Sequence, residues 1–120
     1  MAHANLHMAA GMAVGTALTV WPVARAWFAR APLARPVGRM LVAAYALGAW
    51  ALVPNLVSAA GGPTALHRGP WANVFVGHGA IDARTHGGLL IGEAVMVALL
   101  GLQYALLVAA LVRAGRRARR

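Results

Sequence analysis

Apolar positions fall in three long runs along the chain, about Ala4 to Ala24, about Met40 to Ala60 and about Gly88 to Val112. A helix crossing the hydrocarbon core of a bilayer needs about 20 apolar residues, and each run supplies that length. The pattern predicts three transmembrane helices. Asn5 and His7 lie near the start of the first run, and Trp21, Trp27 and Phe28 near its charged end. A cleaved signal peptide is the competing reading of this run. It lacks a basic leader and exceeds the roughly 7 to 15 apolar residues of such a segment, so retention is expected. The stretch Arg25 to Arg39 holds four arginines with Pro32 and Pro36, which predicts a short polar connection that cannot stay helical throughout. Arg25 is expected to snorkel from the helix end. Pro54 removes a backbone donor from the second run and is expected to kink it. Gly61, Gly62 and Pro63 then stop it.

The second connection, Gly61 to Gly87, has 27 residues and is too long for a bare turn. Within it, Trp71 to Ile81 (WANVFVGHGAI) is apolar over 11 residues, too short to cross and too apolar to dissolve freely. We expect it to lie in the membrane interface, with Trp71 and Phe75 anchoring one face. A re-entrant segment packed over the bundle is the alternative.

Composition supports the threading. Of 120 residues, 61% are hydrophobic and 11% charged, with a mean hydropathy of +0.67, against roughly 25% charged in soluble domains. The expected fold class is therefore an all-α integral membrane protein forming one domain over 1–120, with an interfacial or re-entrant segment in the second connection. The absence of cysteine excludes disulfides, thiolate zinc sites, iron-sulfur clusters and attached c-type haem. Asp82 and Glu93 are the only carboxylate side chains, which removes calcium cages and argues against paired-carboxylate glycosidase chemistry. No phosphate-binding glycine loop, nucleophile elbow or paired-histidine zinc helix motif occurs. The balance leans away from an enzyme.

The formal charge of +9 comes from eleven arginines against those two acids. Four arginines lie in the first connection and five in the tail 113–120, while the second connection has Arg68 and Arg84 and the N-terminus none. Nine against two places the N-terminus outside and the C-terminus in the cytoplasm. Arginine with abundant Ala, Gly, Val, Leu and Pro looks like a GC-rich coding sequence, which points to a bacterial inner membrane. Clustered basic residues also mark nucleic-acid binders. Here they flank apolar spans, so the tail RAGRRARR reads as a lipid-surface contact and no nucleic acid is expected.

In this threading all five histidines, His3, His7, His67, His78 and His86, fall on the outer side. His3 and His7 are four apart and share a helix face if the first span begins early. His78, Asp82 and His86 are spaced i, i+4 and i+8, although Gly77, Gly79, Gly87 and Gly88 argue against a regular helix. Imidazoles with one carboxylate suit zinc, copper, iron or nickel. Glu93 lies roughly 7 Å into the third span at about 1.5 Å per residue, level with Asn55 and Ser58 of the second span and Asn5 and His7 of the first. These five form an expected intramembrane polar layer. A carboxylate is costly against lipid, so Glu93 is expected to turn inward toward His7 or Asn55. Arg84 either pairs with Asp82 or Glu93 or meets lipid phosphate.

The candidate metal ligands are therefore His7, His78, Asp82, His86 and Glu93, with His7 and Glu93 central and the other three as a lid. Such a site would hold a transition metal, haem or a proton. The plainer reading is a hydrogen-bonded cluster that fixes helix packing. Close packing is expected at Gly11 and Gly15, alongside Ala9, Ala13 and Ala17, at Ala44 and Gly48, and at Gly88 and Gly92, followed by Gly101. Tyr45, Gln103 and Tyr104 suggest a second polar contact deeper in. No internal repeat points to an inverted-repeat transporter. The leading expectation is an accessory or structural subunit that packs against other membrane subunits or itself. The rival is an outward-facing metal, haem or proton module using the outer histidines and Glu93.

Overall fold

A computed structural model describes residues 4–63, 70–84 and 89–119, and these are helical apart from turns, with no strand among them. Three helices are long and apolar enough to cross a membrane: α1 (Ala4–Phe28), α2 (Ala34–Ala59) and the last helix. A five-residue 3-10 turn (Pro70–Val74) and the short α3 (His78–Arg84) precede that helix, α4 (Leu89–Ala118). The bundle measures 58 × 24 × 23 Å.

Helices extend past the apolar runs at the charged ends. Arg25 is in the last turn of α1, and Arg35 and Arg39 are in α2, so the polar connection shrinks to residues 29–33. Arginine is a good helix former, and Pro36 sits in the first turn of α2, where its missing donor leaves nothing unsatisfied. Pro22 and Pro54 lie inside helices that continue past them. The α1 end closes with Ala31 N–H on Ala26 O (2.9 Å) and Arg30 N–H on Trp27 O (3.2 Å). This is a Schellman closure with Arg30, at φ 52°, in the left-handed position. The α2 end repeats it with Gly61 at φ 77°, the residue that position favours.

Small residues set the arrangement. A Cβ on Gly11 would lie 2.7 Å from Gly48 Cα, and one on Gly15 would lie 2.6 Å from Ala44 Cα. At these positions the backbones of α1 and α2 touch, antiparallel, while the Met12 side chain packs on Gly48. The fourth helix runs parallel to α1. Leu6 meets Gly92, Thr16 meets Gln103, and Trp27 meets Arg113. Thus α1 is the shared helix, and α2 and α4 touch each other least. Gly88 lies outside the described residues, and Gly101 faces open space. Buried Val23, Leu33, Val37, Met40 and Ala110 form the core toward one end, hereafter the arginine end. At the opposite, histidine end lie His7, the close of α2, the 3-10 turn and α3.

Candidate metal centre

The second connection folds back onto the bundle through a specific set of contacts. After the 3-10 turn, Val76 and Gly77 both take left-handed conformations, at φ 56° and 71°, and reverse the chain into α3. Gly77 offers α3 no capping side chain. Asn73 replaces it, its Oδ1 accepting the Ala80 N–H at 2.9 Å, which satisfies one of the free donors of the first turn. The connection is tied to α2 by Trp50, whose indole N–H donates to Val74 O at 3.2 Å and whose ring stands 5.0 Å from that of Phe75. Ala72 is fully buried. The helix formed despite Gly79, and it brings His78 and Asp82 together at i, i+4.

Docked this way, α3 presents both side chains to His7 on α1. His7 and His78 have no solvent exposure, and the Asp82 side chain retains 16%. His7 Nε2 is 3.2 Å from Asp82 Oδ1, and His78 Nε2 is 3.7 Å from Asp82 Oδ2. The two imidazoles stack, with centroids 3.8 Å apart and planes 21° apart. One carboxylate thus faces two ring nitrogens, one oxygen to each. One ligand atom from each residue lies within 4.8 Å of the others. Two ligands bound at about 2.1 Å to a tetrahedral ion stand roughly 3.4 Å apart; the 3.2 and 3.7 Å contacts run to different oxygens of Asp82 and the three ligand atoms lie within 4.8 Å, so the residues are gathered for an ion but would have to draw closer to bind it. The near-parallel rings direct their nitrogens side by side rather than to a point, so an ion would require a small tilt of one ring. The same stacking disfavours a haem held between the two imidazoles, because such ligation needs rings end-on to opposite faces of the macrocycle.

The expected polar layer divides. His7 is buried and faces Asp82, not Glu93 or Asn55. Glu93 is exposed on α4 rather than turned inward, because the inward position there belongs to Gly92, where a Cβ would lie 2.8 Å from Leu6 N. Asn5 and Ser58 are exposed too, while Asn55 is partly buried and its Nδ2 has no hydrogen-bond partner among the described residues. His3, His67 and His86 lie outside the described residues. Trp71 is 72% exposed, whereas Phe75 turns to Trp50, so the two rings do not form one anchoring face.

Deeper in, Gln103 is buried and its Nε2 donates to Thr16 Oγ1 at 3.3 Å. Tyr45 and Tyr104 remain exposed. Thr16 and Trp50 were not singled out from sequence. An indole N–H in an apolar span, which needs an acceptor, was the available signal for Trp50. Comparison with protein-family models, with curated proteins and with solved structures finds no match to this chain.

Proposed function

We propose that the chain is a small multi-pass membrane protein whose outer end holds a divalent transition-metal ion through His7, His78 and Asp82. The observation that carries this reading is the meeting of two buried imidazoles and one carboxylate, His7 from α1 with His78 and Asp82 from α3, with one ligand atom of each within 4.8 Å of the others. Three protein ligands leave a coordination position open to water or an incoming ligand. The distribution of arginines supports an outward-facing histidine end in a bacterial inner membrane.

The test is titration of the detergent-purified full chain with Zn2+ and Co2+ after chelator treatment, read by calorimetry and by the visible bands of bound cobalt. One ion per chain is expected. His78→Ala and Asp82→Asn should each weaken binding by at least about ten-fold, a typical scale for losing a group that holds or orients a metal. Equal uptake by wild type and a His7→Ala, His78→Ala double variant would refute the site.

A second reading, an accessory subunit of a membrane complex, draws on a separate observation. Glu93 stands exposed on α4 beside Leu90 and Ile91, themselves 78% and 62% exposed. A carboxylate on so apolar a face is stabilised by a polar group from a neighbouring subunit. Partners retained in mild detergent by wild type and lost from Glu93→Ala support this reading. A chain that purifies alone and monomeric refutes it.

A further inference from the structure

The arginine end carries a different chemistry. Arg30, Arg113, Arg116 and Arg117 line one surface pocket of about 370 Å³, within the roughly 300–1,000 Å³ of small-molecule sites. The two carboxylate side chains of the chain, Asp82 and Glu93, both lie toward the opposite end. Four arginines therefore line one surface pocket with no acidic side chain of the protein near them, and their summed charge favours an anion there.

Two of these arginines are held in place by the protein. Arg113 stacks on Trp27, with Cζ 4.2 Å from the ring centroid, and donates to Trp27 O at 3.4 Å. Arg117 donates to Arg30 O. Arg30 itself stands at φ 52°, where glycine is the favoured residue and any side chain is strained. An arginine at this turn contributes a fourth guanidinium at the expense of local backbone strain. Planar guanidinium forks match phosphate oxygens in pairs.

A second feature decides what bears the phosphate. On the same α1–α4 flank lies an apolar groove of about 210 Å³, lined among others by Val23, Trp27, Leu102 and Leu106. Trp27 borders both features, since it lines the groove and its ring carries Arg113 of the pocket. Leu102, Leu106, Arg113 and Arg117 follow one another at helical spacing along α4, so the groove leads toward the basic pocket over about 10 Å at 1.5 Å per residue. A free phosphate would use the pocket and leave the groove idle. An anionic phospholipid uses both.

We propose that the arginine end binds an anionic phospholipid, its phosphate among Arg30, Arg113, Arg116 and Arg117 and one acyl chain along the Trp27–Leu106 groove. The site is independent of the metal centre and does not require it.

The experiment is native mass spectrometry of the full chain in mild detergent with equimolar dioleoyl phosphatidylglycerol and dioleoyl phosphatidylcholine. Wild type should retain the anionic phosphatidylglycerol in preference. Each arginine near an anionic lipid contributes about five-fold, so Arg113→Gln with Arg117→Gln should lower retention about thirty-fold. Arg30→Gln with Arg116→Gln, both exposed, should do the same. This pair carries the test if the first misfolds, as judged by circular dichroism. Arg35→Gln with Arg39→Gln removes equal charge from the same end outside the pocket and should leave the preference intact. Ala24→Trp, which fills the groove, should also lower lipid retention. An equal fall in all the arginine pairs would overturn the proposal in favour of diffuse surface charge. Binding of inorganic pyrophosphate by wild type, with lipid retention unaffected by Ala24→Trp, would overturn the lipid assignment.

Discussion

The contact between α1 and α2 leaves no room for a methyl group, and Gly11→Ala tests that arrangement directly. The added Cβ would lie 2.7 Å from Gly48 Cα, whereas carbon atoms rest about 3.5–4.0 Å apart. The backbones must separate by about 1 Å, because a backbone atom, unlike a flexible side chain, cannot swing aside. A gap of that size forfeits a quarter to a half of each dispersion well, so about 40 atom pairs of roughly 0.15 kcal/mol each lose about 1.5–3 kcal/mol. The change also removes a glycine from a helix interior, which returns up to about 1 kcal/mol. Gly101→Ala isolates that second effect, since a Cβ there meets nothing within 4 Å.

The quantity to measure is therefore the difference between the two variants, by reversible unfolding in mixed micelles with increasing SDS, followed by helical circular dichroism. Gly11→Ala should be about 1.5–3 kcal/mol less stable than Gly101→Ala. The perturbation also reaches the proposed metal site, because His7 lies one helical turn before Gly11 on the same face. Opening the crossing moves His7 away from Asp82, so Co2+ affinity should fall in Gly11→Ala and not in Gly101→Ala. Stabilities within about 0.5 kcal/mol of each other, inside the usual range for substitutions that disturb no packing, would refute the close crossing.

Three further outcomes follow from single contacts. Thr16→Val strands the buried Nε2 of Gln103 and should cost about 1–3 kcal/mol, more than Gln103→Leu, which removes the polar group altogether; the reverse order in SDS unfolding would contradict the Thr16–Gln103 bond. Trp50→Phe keeps the ring contact to Phe75 but loses the bond to Val74 O, so amide hydrogen exchange should quicken across residues 70–84 and not within α1; unchanged exchange would argue against docking of this connection. Arg30→Gly relieves a left-handed side chain and should raise stability by about 1 kcal/mol over Arg30→Ala, which keeps the strain; equal melting of the two would show that the turn is not as described.

Composition and run length were enough to recover three long helices, because the lack of water in a bilayer forces apolar stretches of that length into helices. Their ends were not recoverable the same way. A hydropathy window stops at the first charge, but backbone hydrogen bonding does not, and α1 continues through Arg25 to Phe28 while α2 starts at Ala34, before Arg35 and Arg39. Within the chain Gly11, Gly15, Ala44 and Gly48 meet across the crossing, whereas a Cβ on Gly101 would meet nothing within 4 Å. Spacing identifies a stripe on a helix without identifying what lies opposite.

The same limit explains the polar residues. Counting along α4 places Glu93 at the right depth, but each residue also turns the helix by about 100°, and the close approach of Leu6 to Gly92 settles which residue faces α1. Glu93, next in line, is carried outward. Asp82 takes its place at His7 because the second connection reverses at Val76 and Gly77 and docks through Trp50, features that a reading by periodicity treats as an irregular link. The consequence reaches the far end of the bundle. With one of the two carboxylates engaged by His7 and His78 and the other exposed on α4, the chain retains no acid for the nine arginines of its first connection and tail. On our proposal their counter-anion is the phosphate of a phospholipid whose acyl chain fills the groove beside Arg113.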